Sequence, residues 1–192
     1  AATMVTAGVY MVARCTPLFF TPSQSSTAMA DLAAGLIIMH LRKLLPIMNL
    51  LKSGKFDPQT PAEFMGMLKS WAGDELNAKT VGIVGLGAVG SEVAKRLKGF
   101  GATLISFDPF APESRFAEFG AAKVGMEEVF RRSDIITLHA ADTDENEGMI
   151  TRELIGLMKP DALFVNLARA QLVDQDALYE ALQNKRIGGA AL

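Results

Sequence analysis

The chain has 192 residues, with 19 Lys or Arg against 21 Asp or Glu, and a formal net charge of −2. This length suits one domain with a core of its own, and a hydrophobic content of 49% argues against extended disorder. The balanced charge excludes the basic surface typical of nucleic-acid binding, and a single cysteine, Cys15, excludes an internal disulfide framework and favours a reducing, cytoplasmic compartment.

The first third of the chain is apolar and poor in strand patterns. Residues 1–22 are irregular, and a largely apolar helix is predicted over residues 28–45, capped within residues 25–27 and ended or kinked by Pro46. The most apolar run, residues 32–39, is too short to span a membrane, and the apolar start at residues 1–10 has no basic segment ahead of it as in a signal peptide. The predicted helix is either a core helix or a dimer-interface helix. Residues 52–74 are rich in Gly and Pro and are predicted to form a loop or extended arm.

From residue 80 onward, apolar runs alternate with helical periodicity. This alternation predicts an α/β fold of the Rossmann type, in which a doubly wound parallel sheet carries helices on both faces. Strands are predicted at residues 81–84, 103–107, 134–138, 162–165 and 187–192, and helices at residues 91–100, 126–131, 151–158 and 175–183.

A glycine-rich hexapeptide lies between the first of these strands and the first of these helices. Its glycines, Gly85, Gly87 and Gly90, have the G-x-G-x-x-G spacing that lets a backbone turn tightly and approach a pyrophosphate at a helix N-terminus. Asp108 ends the next strand, where a carboxylate accepts hydrogen bonds from the adenosine ribose and repels a 2′-phosphate. The sequence therefore predicts an NAD site without a metal ion.

Several further motifs follow in order, and together they resemble the NAD-binding domain of the D-isomer-specific 2-hydroxyacid dehydrogenases. The resemblance covers about residues 20–192 and is carried by Thr21-Pro22, Met29-Ala30-Asp31, Gly35-Leu36, Gly54-Lys55-Phe56, Ser133 to His139, Gly148-Met149-Ile150, Met158-Lys159-Pro160, Val165 to Arg169, Leu172-Val173-Asp174 and Gly188 to Leu192. It is far more specific than the glycine loop alone.

The resemblance implies a catalytic role for Arg169, whose guanidinium would clamp the substrate carboxylate and polarise the keto oxygen. An alternative interpretation of Arg169 is a surface ion pair, for example with Asp174. The resemblance also implies cofactor contacts for five further residues. Ala88 and Val89 would contact the pyrophosphate through their backbone N–H groups. Ala140 would lie beside the cofactor ribose, and Leu167 and Ala168 would line the nicotinamide end. The family often has Gly after the Arg, and Ala170 would be strained there if the position needs a positive φ.

The remaining reactive side chains have simpler interpretations. His139 could transfer a proton, but packing beside the cofactor is favoured, because the resemblance places the catalytic His and its Glu partner beyond Leu192. His40 is interpreted as a packing or interface residue and Cys15 as a buried, inert thiol. The acidic run over residues 142–147 is interpreted as a solvated loop rather than a cation site.

The function implied by the resemblance is hydride transfer between NAD(H) and a small 2-hydroxy or 2-keto acid. Alternatives are a non-catalytic NAD(H)-binding scaffold or sensor of the corepressor type, and an unrelated Rossmann protein. Residues 1–27 are expected to be a remnant of the substrate domain, and residues 28–192 an NAD-binding domain that includes an interdomain helix at 28–51. A homodimer with no membrane or nucleic-acid partner is expected, and a chain truncated at both ends is expected to lack turnover alone.

Overall fold

The computed structural model describes residues 22–54 and 56–192, with no side chains described for residues 22–25. Its strands, in chain order, are β1 (Thr80–Val84), β2 (Thr103–Phe107), β3 (Ala122–Lys123), β4 (Ile135–Leu138), β5 (Leu163–Asn166) and β6 (Gly189–Ala191). They form one parallel sheet in the order β3-β2-β1-β4-β5-β6. The chain order reverses between β1 and β4, which is the switch point of a doubly wound sheet.

The helices alternate with these strands along most of the chain. They are α1 (Pro22–Leu41), α2 (Leu44–Lys52), α3 (Pro61–Trp71), α4 (Ala88–Gly99), α5 (Glu113–Phe119), α6 (Met126–Arg132), α7 (Arg152–Gly156) and α8 (Gln175–Gln183). Short 3-10 helices occupy Leu76–Ala78, Asp144–Asn146 and Ala170–Leu172. The predicted α/β class and doubly wound sheet are confirmed.

Two apolar clusters cover the two faces of the sheet. One joins α1, α4 and α5 to side chains such as Ile135 and Val165, and the other joins α6, α7 and α8 to Ile136 and Phe164. Neighbouring residues of one strand thus point to opposite clusters, as the two-residue repeat of a strand requires. Each such side chain, fully removed from water, contributes about 1.5–3 kcal/mol to folding. The continuous apolar runs in the sequence reflect this burial on both faces.

The predicted helix over residues 28–45 is wrong at both ends. The structure has α1 from Pro22, so residues 25–27 lie inside the helix and do not cap it. The chain breaks after Leu41, where Lys43 takes a left-handed conformation with φ 51°, and α2 sets off at 68° to α1. Pro46 lies in the first turn of α2, where a missing N–H costs no helical hydrogen bond.

The break after Leu41 has a tertiary cause. The Asp74 N–H donates to the Leu41 carbonyl at 3.0 Å, so a later segment satisfies the helix end. Gly73 permits this approach, because a Cβ on Gly73 would lie 2.1 Å from the Leu41 carbonyl oxygen. Local sequence around Leu41 carries no sign of this contact.

The prediction of a loop over residues 52–74 is also wrong, because α3 occupies part of it. Thr60 caps this helix by accepting a hydrogen bond from the Glu63 N–H at 3.2 Å, and Pro61 takes the first helical position. The Glu63 carboxylate in turn accepts from the Gln59 N–H at 2.8 Å. This capping signal is present in the sequence and outweighs the neighbouring Gly and Pro residues.

Other elements match their predictions more closely. β2 and α8 have the predicted bounds, the other predicted strands and helices are shifted by a few residues, and the sequence analysis missed α5 and β3. The predictions for residues 1–21, including the irregular start and a buried Cys15, lie outside the described residues. The boundary predicted at residue 27 falls within α1, and the division into domains stays a prediction.

Within the described residues, no single helix is long and apolar enough to cross a membrane. The bent pair Ser26–Leu41 and Leu44–Lys52 passes that test together, by length and composition.

Candidate functional site

The glycine loop connects β1 to α4 at the carboxyl edge of the sheet. Gly85 has φ 89°, a left-handed conformation that favours glycine, and its N–H donates to the Phe107 carbonyl at the end of β2. A Cβ on Gly85 would lie 2.8 Å from the carbonyl carbon of His139. The turn is therefore tight because the ends of β1 and β4 lie against each other.

The other two glycines have different surroundings. A Cβ on Gly90 would lie 2.0 Å from the Gly85 carbonyl oxygen, so Gly90 lets α4 pack against the loop. A Cβ on Gly87 would meet nothing within 4 Å, so the space above Gly87 is open. Gly87 is the N-cap of α4, and the first-turn N–H groups of Ala88 and Val89 have no acceptor within the helix. This open, N–H-lined helix end suits a pyrophosphate.

Asp108 follows β2 and fixes the neighbouring loops. Its Oδ2 accepts from the Leu86 N–H at 2.7 Å, and its Oδ1 accepts from the N–H groups of Phe110 and Ala111 at 2.9 and 3.0 Å. The carboxylate is thus held at the rim of the glycine loop. Since each carboxylate oxygen has two acceptor sites, capacity remains for a ribose hydroxyl.

His139 and Ala140 follow β4, beside the glycine loop. His139 Nε2 lies 2.8 Å from the Thr137 hydroxyl, and burial lowers the pKa of His139 to about 4, so its ring is neutral at pH 7. Ala140 is half-buried, packs against the second cluster, and its N lies 2.9 Å from where a Cβ on Gly85 would be. This environment favours the packing interpretation of His139.

A short loop after β5 holds the predicted nicotinamide-end residues. The buried Asn166 side chain accepts from the Ala168 N–H and donates to the Arg169 carbonyl, both at 2.9 Å, and so fixes the loop's shape. Leu167 packs against one core cluster and Ala168 against the other. The Asn is therefore a supporting residue that holds Arg169 in place.

Arg169 projects from this loop with an exposed side chain. Its Nη1 donates to the Ala168 carbonyl at 3.1 Å, and its Nε lies 3.6 Å from Asp142 Oδ2. Asp174 instead caps α8 by accepting from the Ala177 N–H at 2.8 Å, so the surface ion pair predicted as an alternative is present but has Asp142, not Asp174, as its partner. A contact as long as that to Asp142 leaves most of the guanidinium fork available to an anion.

Ala170, at the position where the family often has Gly, causes no backbone strain. Among the described residues, the non-glycine positions with positive φ are Lys43 and Lys185, and Ala170 begins a 3-10 helix. In the acidic run after β4, Asp142 contacts Arg169 and accepts from Gln171. Within residues 22–54 and 56–192, no three His, Cys, Asp or Glu side chains are grouped so as to hold a metal ion.

The sequence analysis missed one charged residue at this edge, Arg115 in α5. Its Nη1 donates to the Leu86 carbonyl at 3.3 Å, next to the glycine loop. Because α5 itself was not predicted, no pattern in the sequence could place this side chain.

The predicted site residues lie at the carboxyl ends of the parallel strands, in loops or, for Ala88, Val89 and Gly90, in the first turn of α4. The glycine loop follows β1, Asp108 follows β2, Ala140 follows β4 and Arg169 follows β5. Ligands of doubly wound sheets bind at this edge, beside the switch point. A family model described as "D-isomer specific 2-hydroxyacid dehydrogenase, NAD binding domain" matches residues 34–192. The chain belongs to this family.

Curated relatives from this family match most of the chain. The D-3-phosphoglycerate dehydrogenase of Methanocaldococcus jannaschii is 39% identical over 89% of this chain and 31% of the relative. The hydroxypyruvate reductase of Thermotoga maritima is 35% identical over 90% of this chain and 52% of the relative. The chain thus spans 31% of the length of one of these relatives and 52% of the other.

Solved structures agree with the fold. A D-lactate dehydrogenase from Aquifex aeolicus, complexed with NAD and lactic acid, superposes with a TM-score of 0.77 at 30% identity, covering 88% of this chain and 48% of that one. An acyclic imino acid reductase in complex with NADPH and D-Arg gives a TM-score of 0.72 at 30% identity, covering 86% of this chain and 50% of that one. The NAD-binding domain of the 2-hydroxyacid dehydrogenase family is thereby shown.

Proposed function

We propose that the chain provides the cofactor site of a dehydrogenase that transfers a hydride between NAD(H) and a small 2-hydroxy or 2-keto acid. The observation that carries this proposal is the placement of a pyrophosphate loop, Asp108 and Arg169 at one edge of the sheet. Relatives named for phosphoglycerate and hydroxypyruvate, and a neighbour holding lactic acid, support the substrate class.

The residues of this chain divide the work between cofactor and substrate. Bound NAD(H) accepts or supplies the hydride. The N–H groups of Ala88 and Val89 bind the pyrophosphate, and Asp108 accepts from the adenosine ribose. Arg169 binds the substrate carboxylate through two parallel N–H donors, and its positive charge stabilises the negative charge that develops on the keto oxygen. The substrate carboxylate would replace Asp142, whose Oδ2 lies 3.6 Å from Arg169 Nε, as the partner of this guanidinium.

The proton that accompanies the hydride needs a separate donor. We infer that His139 is not this donor, because burial lowers its pKa to about 4 and its Nε2 lies 2.8 Å from the Thr137 hydroxyl. We therefore expect the isolated chain to bind NADH without measurable turnover. General acid–base catalysis contributes about 10²–10⁴-fold, so its loss alone suffices to hide activity.

Asp108 favours NAD(H) over NADP(H) in this proposal. Its carboxylate is fixed by three backbone N–H groups and would face the additional phosphate on the 2′-oxygen. Calorimetric titration with NADH and NADPH measures the preference, and tighter binding of NADPH would contradict it.

We also propose a homodimer formed through α2 and α3. Neither helix has a buried residue within one chain, and both present large apolar side chains to solvent. Exposed apolar side chains of this kind mark an interaction surface. A cytoplasmic location is proposed on the cysteine content alone.

A ternary binding measurement tests the role of Arg169. The chain is saturated with NADH and titrated with oxamate, which resembles a 2-keto acid, using unaltered chain, Arg169→Gln and the control Arg152→Gln. Arg152 is another exposed arginine, paired with Glu180 away from the loop after β5. We expect Arg169→Gln to lower oxamate affinity at least about tenfold, equivalent to 1.4 kcal/mol, and Arg152→Gln to leave it unchanged. Equal oxamate affinity in all three chains contradicts the substrate assignment.

A further inference from the structure

Arg115 and Asp108 both hydrogen-bond to the backbone of one loop residue, Leu86. Asp108 Oδ2 accepts from the Leu86 N–H at 2.7 Å, and Arg115 Nη1 donates to the Leu86 carbonyl at 3.3 Å. The Ser91 hydroxyl donates to the same carbonyl at 3.0 Å and fixes its direction. The anionic Asp108 side chain thus binds the N–H of Leu86, and the cationic Arg115 side chain binds its carbonyl. Leu86 lies between the first two glycines of the loop.

The charge of Arg115 has no acidic partner within ion-pair distance among the residues that the structure describes. Its neighbour in α5, Glu113, pairs with Lys123 at 2.7 Å, and the arginines of α6, Arg131 and Arg132, pair with glutamates of their own helix. A guanidinium has five N–H donors, and Arg115 uses one of them on Leu86. Four donors and a full positive charge therefore face solvent beside the cofactor loop.

The backbone atom that Arg115 contacts indicates whether its guanidinium lies nearer to the pyrophosphate or to a 2′-phosphate on the ribose. The pyrophosphate belongs at the N-terminus of α4, beyond Gly87, whereas Arg115 is anchored before Gly87 and beside Asp108. Asp108 marks the ribose end of the site, because a carboxylate after the second strand accepts from the ribose 2′-hydroxyl. A guanidinium at that end suits a 2′-phosphate, which it can bind through two parallel N–H groups.

We propose that Arg115 is a specificity-determining residue that binds the 2′-phosphate of NADP(H), so that this chain accepts NADP(H) as a second, weaker cofactor. The proposal rests on the proposed cofactor site. Asp108 opposes the 2′-phosphate and Arg115 attracts it, and the balance of these two charges sets the preference. Removing either charge therefore shifts the affinity for NADPH more than that for NADH.

Dissociation constants for NADH and NADPH, measured by calorimetry, test this balance. The chains are the unaltered protein, Arg115→Gln, Asp108→Asn, the double variant, and the control Arg131→Gln, whose arginine is exposed but paired with Glu127. Asp108→Asn keeps one acceptor oxygen for the backbone N–H groups, so the loop keeps part of its support. Thermal melts establish that each variant is folded.

We expect Arg115→Gln to weaken NADPH binding about tenfold and NADH binding less than about threefold, with Arg131→Gln changing neither. Asp108→Asn should strengthen NADPH binding, and the double variant should lose that gain. Competition by 2′,5′-ADP should depend on Arg115, whereas competition by 5′-AMP should not.

Any of four outcomes overturns the proposal. Equal loss of both cofactors in Arg115→Gln, or no loss of either, removes the selective contact with the 2′-phosphate. NADH binding without measurable NADPH binding by the unaltered chain overturns this inference and leaves the proposed function intact. Absence of binding of both cofactors overturns the two together.

Discussion

At the scale of single residues, the three glycines of the cofactor loop serve different purposes. Gly85 supplies a left-handed turn, Gly90 allows contact between α4 and the loop, and Gly87 leaves open space where a phosphate fits. Gly85 and Gly90 are therefore required for the fold itself, whereas Gly87 is required for the ligand.

This division predicts opposite effects for two matched substitutions. Gly90→Ala places a Cβ 2.0 Å from the Gly85 carbonyl oxygen, so we expect a lower melting temperature, with a loss of about 1–3 kcal/mol. Gly87→Ala should melt within a few degrees of the unaltered chain but bind NADH at least about tenfold more weakly. Melting curves and NADH titrations measure both effects. A Gly87→Ala chain with unaltered NADH affinity contradicts the placement of the pyrophosphate.

Burial of His139 predicts a pH dependence of stability. Its pKa is about 4 in the folded chain against 6.5 ordinarily, so the unfolded chain takes up a proton between these values that the folded chain does not. Stability contributed by the neutral ring is therefore fully present above pH 6.5 and is lost as the pH falls toward 4.

Urea unfolding between pH 7 and pH 5 measures this dependence. His139→Gln should flatten the slope of unfolding free energy against pH in that interval. His40→Gln should flatten it less, because burial also lowers the pKa of His40, but by a smaller amount. Parallel slopes for the unaltered chain and His139→Gln exclude His139 as the group responsible.

At the scale of elements, the break between α1 and α2 depends on a distant glycine. Gly73→Ala would place a Cβ 2.1 Å from the Leu41 carbonyl oxygen and disturb the hydrogen bond from Asp74. We expect a melting temperature several degrees lower, the scale of about 1–3 kcal/mol in a domain of this size. Gly66→Ala in α3 is the control, because a Cβ there meets nothing within 4 Å and alanine favours a helix. Equal melting temperatures for the two variants would refute this explanation of the break.

The accuracy of sequence-based prediction differs between elements for physical reasons. β2 was predictable because an apolar run ends at Asp108-Pro109, and α8 because Asp174 supplies a cap before a periodic stretch. The break after Leu41 could not be predicted, since its cause lies about thirty residues away. The cap at Thr60 was visible in the sequence, but the prediction gave more weight to the surrounding Gly and Pro residues, which do not prevent the helix.

The site shows the same difference. The residues proposed to bind the cofactor through their backbone were predictable from motifs, because within a motif the geometry is set by residues adjacent in sequence. Arg115 contacts Leu86, and Asp142 contacts Arg169, although each pair lies on separate segments of the chain. Only the fold reveals these contacts.

At the scale of the whole molecule, α2 and α3 leave an apolar surface uncovered. The patch comprises the large side chains Leu44, Leu45, Met48, Leu51, Phe64, Met65 and Leu68, each at least 39% exposed. Such an apolar surface is more stable when another chain buries it than when it is in contact with water.

Charge placed on the patch should prevent association. Met48→Asp combined with Leu68→Asp should convert a dimer at tens of micromolar into a monomer in light scattering, because two carboxylates would be buried at the interface. Tyr179→Asp, an exposed aromatic on α8, is the control and should leave the mass unchanged. A monomeric mass for the unaltered chain at that concentration contradicts the homodimer.

The central claim is that this chain carries a working NAD site of the 2-hydroxyacid dehydrogenase family. Calorimetric titration of the folded chain with NADH tests it most directly. We expect saturable binding of one NADH per chain, tighter than binding of NADPH. A folded chain that shows no saturable binding of NADH contradicts it.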